Sequence, residues 1–455
     1  MPVVLAVVLI ILVIGSLIFH FQSPWYFTEL ASNWEMVDLT VNITFWVAGI
    51  VFVLVNLFTA YCLIRYKHRP GHKAHYEPES HKLEITLTAI TAIGIAAMLA
   101  PGLIAWGDFV NVPENAMKVE AMGKQWHWSY RFPGDDGEFG DTDVRQVTVD
   151  NPMGLDIEDP AGSDDIIVTE PILHVPQGRP IHLLLRSTDV LHNFTVPQFR
   201  VKMDLVPGMI TYQWFEVTQS GTYEVLCEEL CGIGHFAMRS KLTAEPEAEF
   251  NAWLDTQPTF AETQDRPVGD VARGTASYAV CLACHGSQGE GNQALNAPKL
   301  AGQEPWYLRH QIGNYQNGRR GTEDNIAVQM AAMAAVLTTP GVIEDVISYI
   351  GTLPDEPAEQ TIFADVERGR ELYTTCGMCH GAAGEGNWYS NAPRLSGMSD
   401  WYLARQLTKF READAEQRRG GHPDDIYGDQ MYMLAGMLKD ETAIDDVVAY
   451  INTLP

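Results

Sequence analysis

Six of the seven cysteines fall into three close pairs, and each pair has a histidine within reach along the chain. Cys281-Leu-Ala-Cys284-His285 and Cys376-Gly-Met-Cys379-His380 are two copies of the signal for covalent attachment of a c-type haem. The thiols add to the haem vinyl groups and the next histidine meets the iron from one face, so residue types, order and spacing all follow from the chemistry. The third pair opens the run Cys227-Glu-Glu229-Leu-Cys231-Gly-Ile-Gly-His235-Phe-Ala-Met238, with His192 upstream in Asp189-Val-Leu-His192. Thiolates, imidazoles and a weak thioether on a loop are a ligand set for electron-transfer copper. A mononuclear blue site uses one cysteine, whereas two thiolates four residues apart can bridge two copper ions. One histidine would cap each ion, with Met238 and a backbone carbonyl as weak outer ligands. A structural zinc site of two cysteines and two histidines is the alternative, and it has no use for Met238.

Each haem iron needs a sixth ligand from downstream, a methionine or a histidine. Residues 271–455 contain one unit twice: Asn296-Ala-Pro298 recurs as Asn391-Ala-Pro393, Trp306-Tyr-Leu as Trp401-Tyr-Leu, and Thr-Leu-Pro354 as Thr-Leu-Pro455. Aligned on Leu337 and Leu438, the repeat selects Met330 and Met431 as axial ligands, with Met333 and Met433 as the fallback. His310 and His422 would give bis-histidine sites instead, but they do not align and read as surface residues. Residues 256–267 and 355–360 read as linkers before and between the units, which occupy 268–354 and 361–455 and are long enough for small all-α domains around a haem.

Short β-rich runs bounded by Gly, Pro and Asn, such as Ile181-His-Leu-Leu-Leu and Tyr212-Gln-Trp-Phe-Glu-Val, place the His192 and Cys227–Met238 ligands in an all-β domain over 112–256. Ahead of it, three apolar runs at about 3–19, 41–64 and 83–106 are each long enough to span hydrocarbon as a helix, within residues 1–111. The loop after the second run holds Arg65, Lys67, Arg69, Lys73 and Lys82, and the loop before it holds Glu29, Glu35 and Asp38. Bases mark the cytoplasmic side, so 65–82 is expected inside and everything after about Val110 outside. The first run lacks the basic start and small-residue cleavage site of a signal peptide and reads as a retained span.

The net charge of -28 is unevenly placed. Residues 1–111 carry 7 acids and 5 bases, 112–262 carry 25 and 10, and 263–455 carry 26 and 15. Nucleic acid is therefore not an expected partner, and a basic protein is. Residues 135–165 hold eleven acids and one base, Arg145. They read as a solvated loop, or else as a steering surface for a basic donor.

Residues 35–245 resemble subunit II of haem-copper cytochrome c oxidases. The likeness rests on Leu83-Glu84-Ile, Gly123-Lys-Gln-Trp126-His-Trp128-Ser-Tyr, Asp189-Val-Leu-His192, Val201-Lys-Met-Asp204 with Pro207-Gly208, and the Cys-x-Glu-x-Cys-x-x-x-His-x-x-Met loop. It implies two membrane helices and a cupredoxin domain with a binuclear CuA centre held by His192, Cys227, the Glu229 carbonyl, Cys231, His235 and Met238. By the same likeness the Glu229 side chain reaches a magnesium ion shared with subunit I, Trp126 is the electron-entry tryptophan, and Glu84 sits at the mouth of a proton channel. Leu87 stands where the family usually has Trp, which weakens the channel assignment. The two added cytochrome domains are similar to those of caa-type oxidases. The implied partners are subunits I and III and, as donor, cytochrome c or a quinol:cytochrome c reductase. The implied setting is a bacterial inner membrane with copper and haems on the periplasmic side. Nitrous oxide reductase shares the copper centre but usually has Trp at the position of Glu229. A nitric oxide reductase partner subunit and an anchored carrier without an oxidase are the other readings.

Overall fold

The computed structural model describes residues 1–23, 27–73, 76 and 78–455, so parts of the acidic loop before the second apolar run and of the 65–82 loop lie outside the described residues. Helices α1 (Pro2–Gln22), α2 (Glu35–Arg65) and α3 (His81–Val110) coincide with the three apolar runs and are long and apolar enough to cross a membrane. At 1.5 Å per residue α1 is about 31 Å long, one hydrocarbon thickness. The longer α2 carries its charged ends, Glu35, Asp38 and Arg65, beyond the apolar stretch, and Glu84 lies in the first turn of α3.

Ten strands follow: β1 (Met117–Lys124), β2 (His127–Phe132), β3 (Ile166–Val168), β4 (Ile172–Pro176), β5 (Pro180–Ser187), β6 (His192–Val196), β7 (Val201–Leu205), β8 (Thr211–Glu216), β9 (Gly221–Leu226) and β10 (Arg239–Glu245). They form two five-stranded sheets, β3-β2-β1-β5-β8 and β4-β10-β9-β6-β7, which make a cupredoxin-like sandwich. Alternation sets the faces: Ile181, Leu183 and Leu185 of β5 and Leu242 and Ala244 of β10 are buried against Trp128, Phe194, Phe199 and Phe215. Helix α4 (Glu247–Leu254) seats Phe250 on the same core. The membrane helices join it through Trp34, whose indole donates to the Trp214 carbonyl (3.0 Å), and through Trp214, whose indole donates to the Asp108 carbonyl (3.0 Å).

Two stretches are more ordered than expected. Part of the first linker is helix α5 (Phe260–Gln264), started by a capping box of Thr259 and Glu262, with Phe260 buried beside Met122, Met153 and Leu155. The acidic stretch is not wholly solvated either: Asp165 is fully buried and, with Glu120, flanks the buried Arg131 guanidinium at 3.1 and 2.7 Å. Burial pushes the Asp165 carboxyl up to about 6 against the pull of Arg131.

The first cytochrome unit comprises α6 (Val271–Ser277), α7 (Ala279–His285), α8 (Pro305–Gln316), α9 (Asn325–Ala334) and α10 (Pro340–Ile350). The second comprises α11 (Val366–His380), α12 (Asp400–Arg411), α13 (Ile426–Ala435) and α14 (Glu441–Ile451). In each, the N-terminal helix crosses the C-terminal one at a glycine, Gly274 or Gly369, where an added Cβ would overlap the carbonyl oxygen of Asp345 or Asp446. The residue before each glycine ties the crossing: Arg273 to Asp345 and Arg368 to Asp446, both at 2.8 Å. The segment between the units is held as well, since Asp355 bonds Lys299 (2.8 Å) and Arg394 (2.5 Å) across them.

Candidate functional site

Strands β9 and β10 pair as far as Leu226 opposite Arg239, so the chain from Cys227 to Met238 is a loop pinned at both ends. The pairing of β6 with β9, Thr195 opposite Leu226, brings His192 beside Cys227. Sγ of Cys227 lies 3.7 Å from Sγ of Cys231, 4.0 Å from Nδ1 of His192 and 3.3 Å from the Glu229 carbonyl oxygen. Sγ of Cys231 lies 3.5 Å from Nδ1 of His235 and 3.8 Å from Sδ of Met238. The donor atom of every residue proposed for copper therefore lies within 4.0 Å of one of the two thiols, those of His192, Cys227 and Cys231 form one cluster, and both cysteines are buried and free of disulfides.

Asp189 orders the site. Its Oδ1 lies 2.8 Å from Nε2 of His192, which leaves Nδ1 facing Cys227, and its Oδ2 accepts from the Gln125 amide (2.6 Å). Burial works to lower the His192 pKa, but the bonds to Asp189 and Cys227 outweigh it and raise it. The hydrogen bond shared by the two thiols, with His192, holds Cys227 far below the usual thiol range, while that bond and burial raise Cys231. One proton is thus easily lost from the pair, as a thiolate metal site requires. Trp126 rests on this loop: its indole donates to the Cys231 carbonyl (3.1 Å), and a Cβ at Gly232 or Gly234 would meet its ring. Glu84 lies elsewhere, exposed in the first turn of α3, 3.6 Å from His81.

The haem motifs end α7 and α11 in matching ways. His285 and His380 are buried, and Nδ1 of each donates to a proline carbonyl, Pro298 (2.8 Å) and Pro393 (2.7 Å). The recurring Asn-Ala-Pro thus occupies Nδ1, so that in the neutral imidazole Nε2 carries the lone pair that an iron would need. Burial lowers both pKa values, keeping the imidazoles neutral as iron ligation needs. Met330 and Met431 lie half-buried at corresponding places on α9 and α13, whereas Met333 is exposed and Met433 lines a cleft against β9 and β10. His422 is exposed, but His310 is not the surface residue expected. Its ring packs edge-on against Tyr427 of the second unit (5.5 Å).

Residues 117–244 match the family described as cytochrome C oxidase subunit II, periplasmic domain, and residues 271–354 and 366–455 each match the cytochrome c family. An alternative cytochrome c oxidase subunit 2 of Bradyrhizobium diazoefficiens is 52% identical over 261 residues, which cover 57% of this chain and 94% of that protein. The chain belongs to the cytochrome c oxidase subunit II family. The subunit 2 of Cereibacter sphaeroides is 28% identical, covering 46% of this chain and 74% of that one. Among solved structures, cytochrome c4 from Pseudomonas stutzeri is 28% identical, covering 41% of this chain and all of that one, with a TM-score of 0.33.

As a cytochrome c oxidase subunit II with cytochrome c domains, the chain is an electron-transfer subunit, and its donor atoms fit the cofactors these families imply. Two thiols, two imidazoles, a thioether and a carbonyl in a buried pocket suit paired copper. In the cytochrome units, the buried N–H groups Nε1 of Trp306 and Nε of Arg320 and Arg418 have no hydrogen-bond partner among the described residues. Such orphaned donors suit the carboxylates of a haem. Trp306 was visible only as a repeat marker recurring as Trp401, the two arginines carry no spacing signal, and only the match of Asp189-Val-Leu-His192 to the family points at Asp189.

Proposed function

We propose that this chain is the electron-input subunit of a proton-pumping haem-copper terminal oxidase, receiving electrons from cytochrome c-type donors for the reduction of oxygen to water in subunit I. The observation that carries it is the pair of adjacent buried thiols of a subunit II domain, with an imidazole beside each, the thioether and the Glu229 carbonyl within 4.0 Å of one or the other, and two haem-attachment motifs on the same chain. Copper would be held by His192, Cys227, the Glu229 carbonyl, Cys231, His235 and Met238. One haem would be held by Cys281, Cys284, His285 and Met330, and the other by Cys376, Cys379, His380 and Met431. When bound, these groups supply one-electron chemistry with little change of shape.

The chain's own residues then position and insulate. Asp189 fixes the His192 ring, and the Pro298 and Pro393 carbonyls fix the haem histidines. The Trp126 indole, bonded to the Cys231 carbonyl, is the electron-entry contact with the copper loop. The half-buried side chain of Glu229 would reach a magnesium ion shared with subunit I, and Glu84, in the first turn of α3, would serve at the mouth of a proton channel. With 65–82 cytoplasmic and the region after Val110 periplasmic in a bacterial inner membrane, copper and haem loading take place at the exported face. The acidic surface suits a basic donor, cytochrome c or one supplied by a quinol:cytochrome c reductase.

Purification of the tagged full-length chain from membranes tests this. The account expects a many-helix haem protein to co-purify, a pyridine haemochrome assay to count two c-type haems per chain, and metal analysis to find two copper ions. Recovery of the chain alone, or a count of one haem or none, would overturn it.

A further inference from the structure

The two cytochrome units share a fold and a motif, yet they are placed differently on the copper domain. Cys379, the last thiol of the C-terminal motif, packs against the core cluster that contains Trp126, Cys227 and Cys231. Its counterpart in the first unit, Cys284, is exposed. The turn after the second motif lays the rings of Trp388 and Tyr389 over Nζ of Lys124, at 5.3 and 4.2 Å, and the Tyr389 hydroxyl bonds Thr188. Helix α13, which carries Met431, touches the turn that holds His235. From its first turns the Gln430 amide donates to the Trp126 carbonyl (2.7 Å), and the Tyr427 hydroxyl lies 2.7 Å from Nδ1 of His127 with the two rings stacked 5.2 Å apart. Lys241 completes the contact with Asp424 (4.0 Å) and the Pro423 carbonyl.

This is a formed interface rather than a passing one. Lys124 is 5% exposed and Trp126 is 6% exposed. A buried ammonium is tolerated only with partners, here two aromatic faces. A soluble protein cannot reach Trp126 while the second unit sits on it. By contrast, the first unit meets the copper domain through Arg319 on Glu170 and through the linker pair Arg266 and Asp150 (2.5 Å), and it braces the second unit through Arg405 of that unit on its Asp324 (2.8 Å).

The geometry points to an order of transfer that inverts the order of the domains along the chain: the C-terminal cytochrome unit is the docked donor to the copper domain at Trp126, and the unit next to the copper domain in sequence is the outer port for the external donor. This rests on the copper and haem reading above. Each hand-over is one electron. The iron of the haem that Cys376 and Cys379 would attach and His380 would ligate would pass from ferrous to ferric as the copper pair gained that electron, and the first unit's iron would restore it at the expense of a reduced one-electron donor protein. No bond or proton changes place.

Zero-length carbodiimide crosslinking of the full-length chain in its membrane complex, read by peptide mass spectrometry, tests the docking. Lys409 and Asp324, 2.6 Å apart across the two cytochrome units, serve as the internal control. The expected result is a Lys241–Asp424 link alongside the control link. The control link without it, with Lys241 or Lys124 joined instead to acids of 268–354, would overturn the order. Two variants then separate the routes by haem- and copper-resolved stopped-flow spectroscopy. Tyr427→Glu should slow copper reduction at least tenfold with haem reduction by the donor unchanged, and Arg319→Glu should leave copper reduction at the wild-type rate. The reverse pattern would refute the assignment. The crosslink reports docking whatever metal is bound, and copper content reports the ligand set, so the two readings fail separately.

Discussion

At the scale of single residues, Asp189 does two jobs from one carboxylate, steering the His192 ring and holding the Gln125 amide next to Trp126. Partners that orient a metal-bound histidine typically affect affinity 10- to 100-fold. Asp189→Ala should therefore lower copper occupancy under limiting copper by about that factor, with two haems still attached, and Asp189→Asn should restore most of it. Equal copper content in all three proteins would show that His192 is oriented by something else. The candidate ligands could be singled out in the sequence because the proposed chemistry dictates their spacing: Cys227 and Cys231 would have to reach each other across one loop turn, and each cysteine pair of the haem motifs would have to span one porphyrin edge. Asp189 was visible only within a family-like stretch, because a carboxylate three residues from a histidine is common and carries no signature of its own.

At the scale of elements, the three apolar runs and the short β runs became helices and strands close to where hydropathy and alternation put them. The 256–267 segment shows the limit of that reading. It is rich in Thr, Pro and Gln, yet one buried aromatic, Phe260, and one capping box fold its middle onto the copper domain. Composition reports what a segment prefers alone, and here the pocket lined by Met153 and Leu155 decides. The helix crossings were also unread, because glycine at 274 and 369 looks like a weak helix residue until Asp345 and Asp446 are placed against it. Gly369→Ala should drive a methyl group into a backbone carbonyl that cannot rotate away, costing roughly 1–3 kcal/mol. Gly313→Ala, in α8 with open space around it, should be neutral or stabilising by roughly 0.4–1 kcal/mol. Chemical denaturation followed at the haem bands distinguishes them; equal midpoints would contradict the crossing.

At the scale of the molecule, the seating of the second cytochrome unit was not legible, since His127 and Tyr427 are paired by complementary surfaces and by no repeat or motif. That seating has a pH dependence. Burial, then the nearby Lys124 and His310, hold His127 far below the usual histidine range while it is docked. Undocked, it would titrate near the ordinary value of about 6.5. As pH falls below about 6.5 the open form takes up a proton that the docked form refuses, so docking weakens by up to about 1.4 kcal/mol per pH unit. Hydrogen exchange of the 123–130 peptide, corrected for intrinsic rates, should rise from pH 7.5 to 5.5, and His127→Gln should flatten the response. An unchanged wild-type response would mean that His127 is not shielded by the second unit. The central claim is that electrons gathered by the cytochrome units leave this chain only through the Cys227–Met238 loop, and the most direct test is Cys227→Ser in the assembled complex. Removing one of the two thiolates takes away the paired geometry, so stopped-flow mixing with reduced donor should show both c-type haems reduced rapidly and oxygen uptake abolished. Oxygen uptake near the wild-type rate in that variant would mean that the haems bypass the copper loop, and would contradict the account.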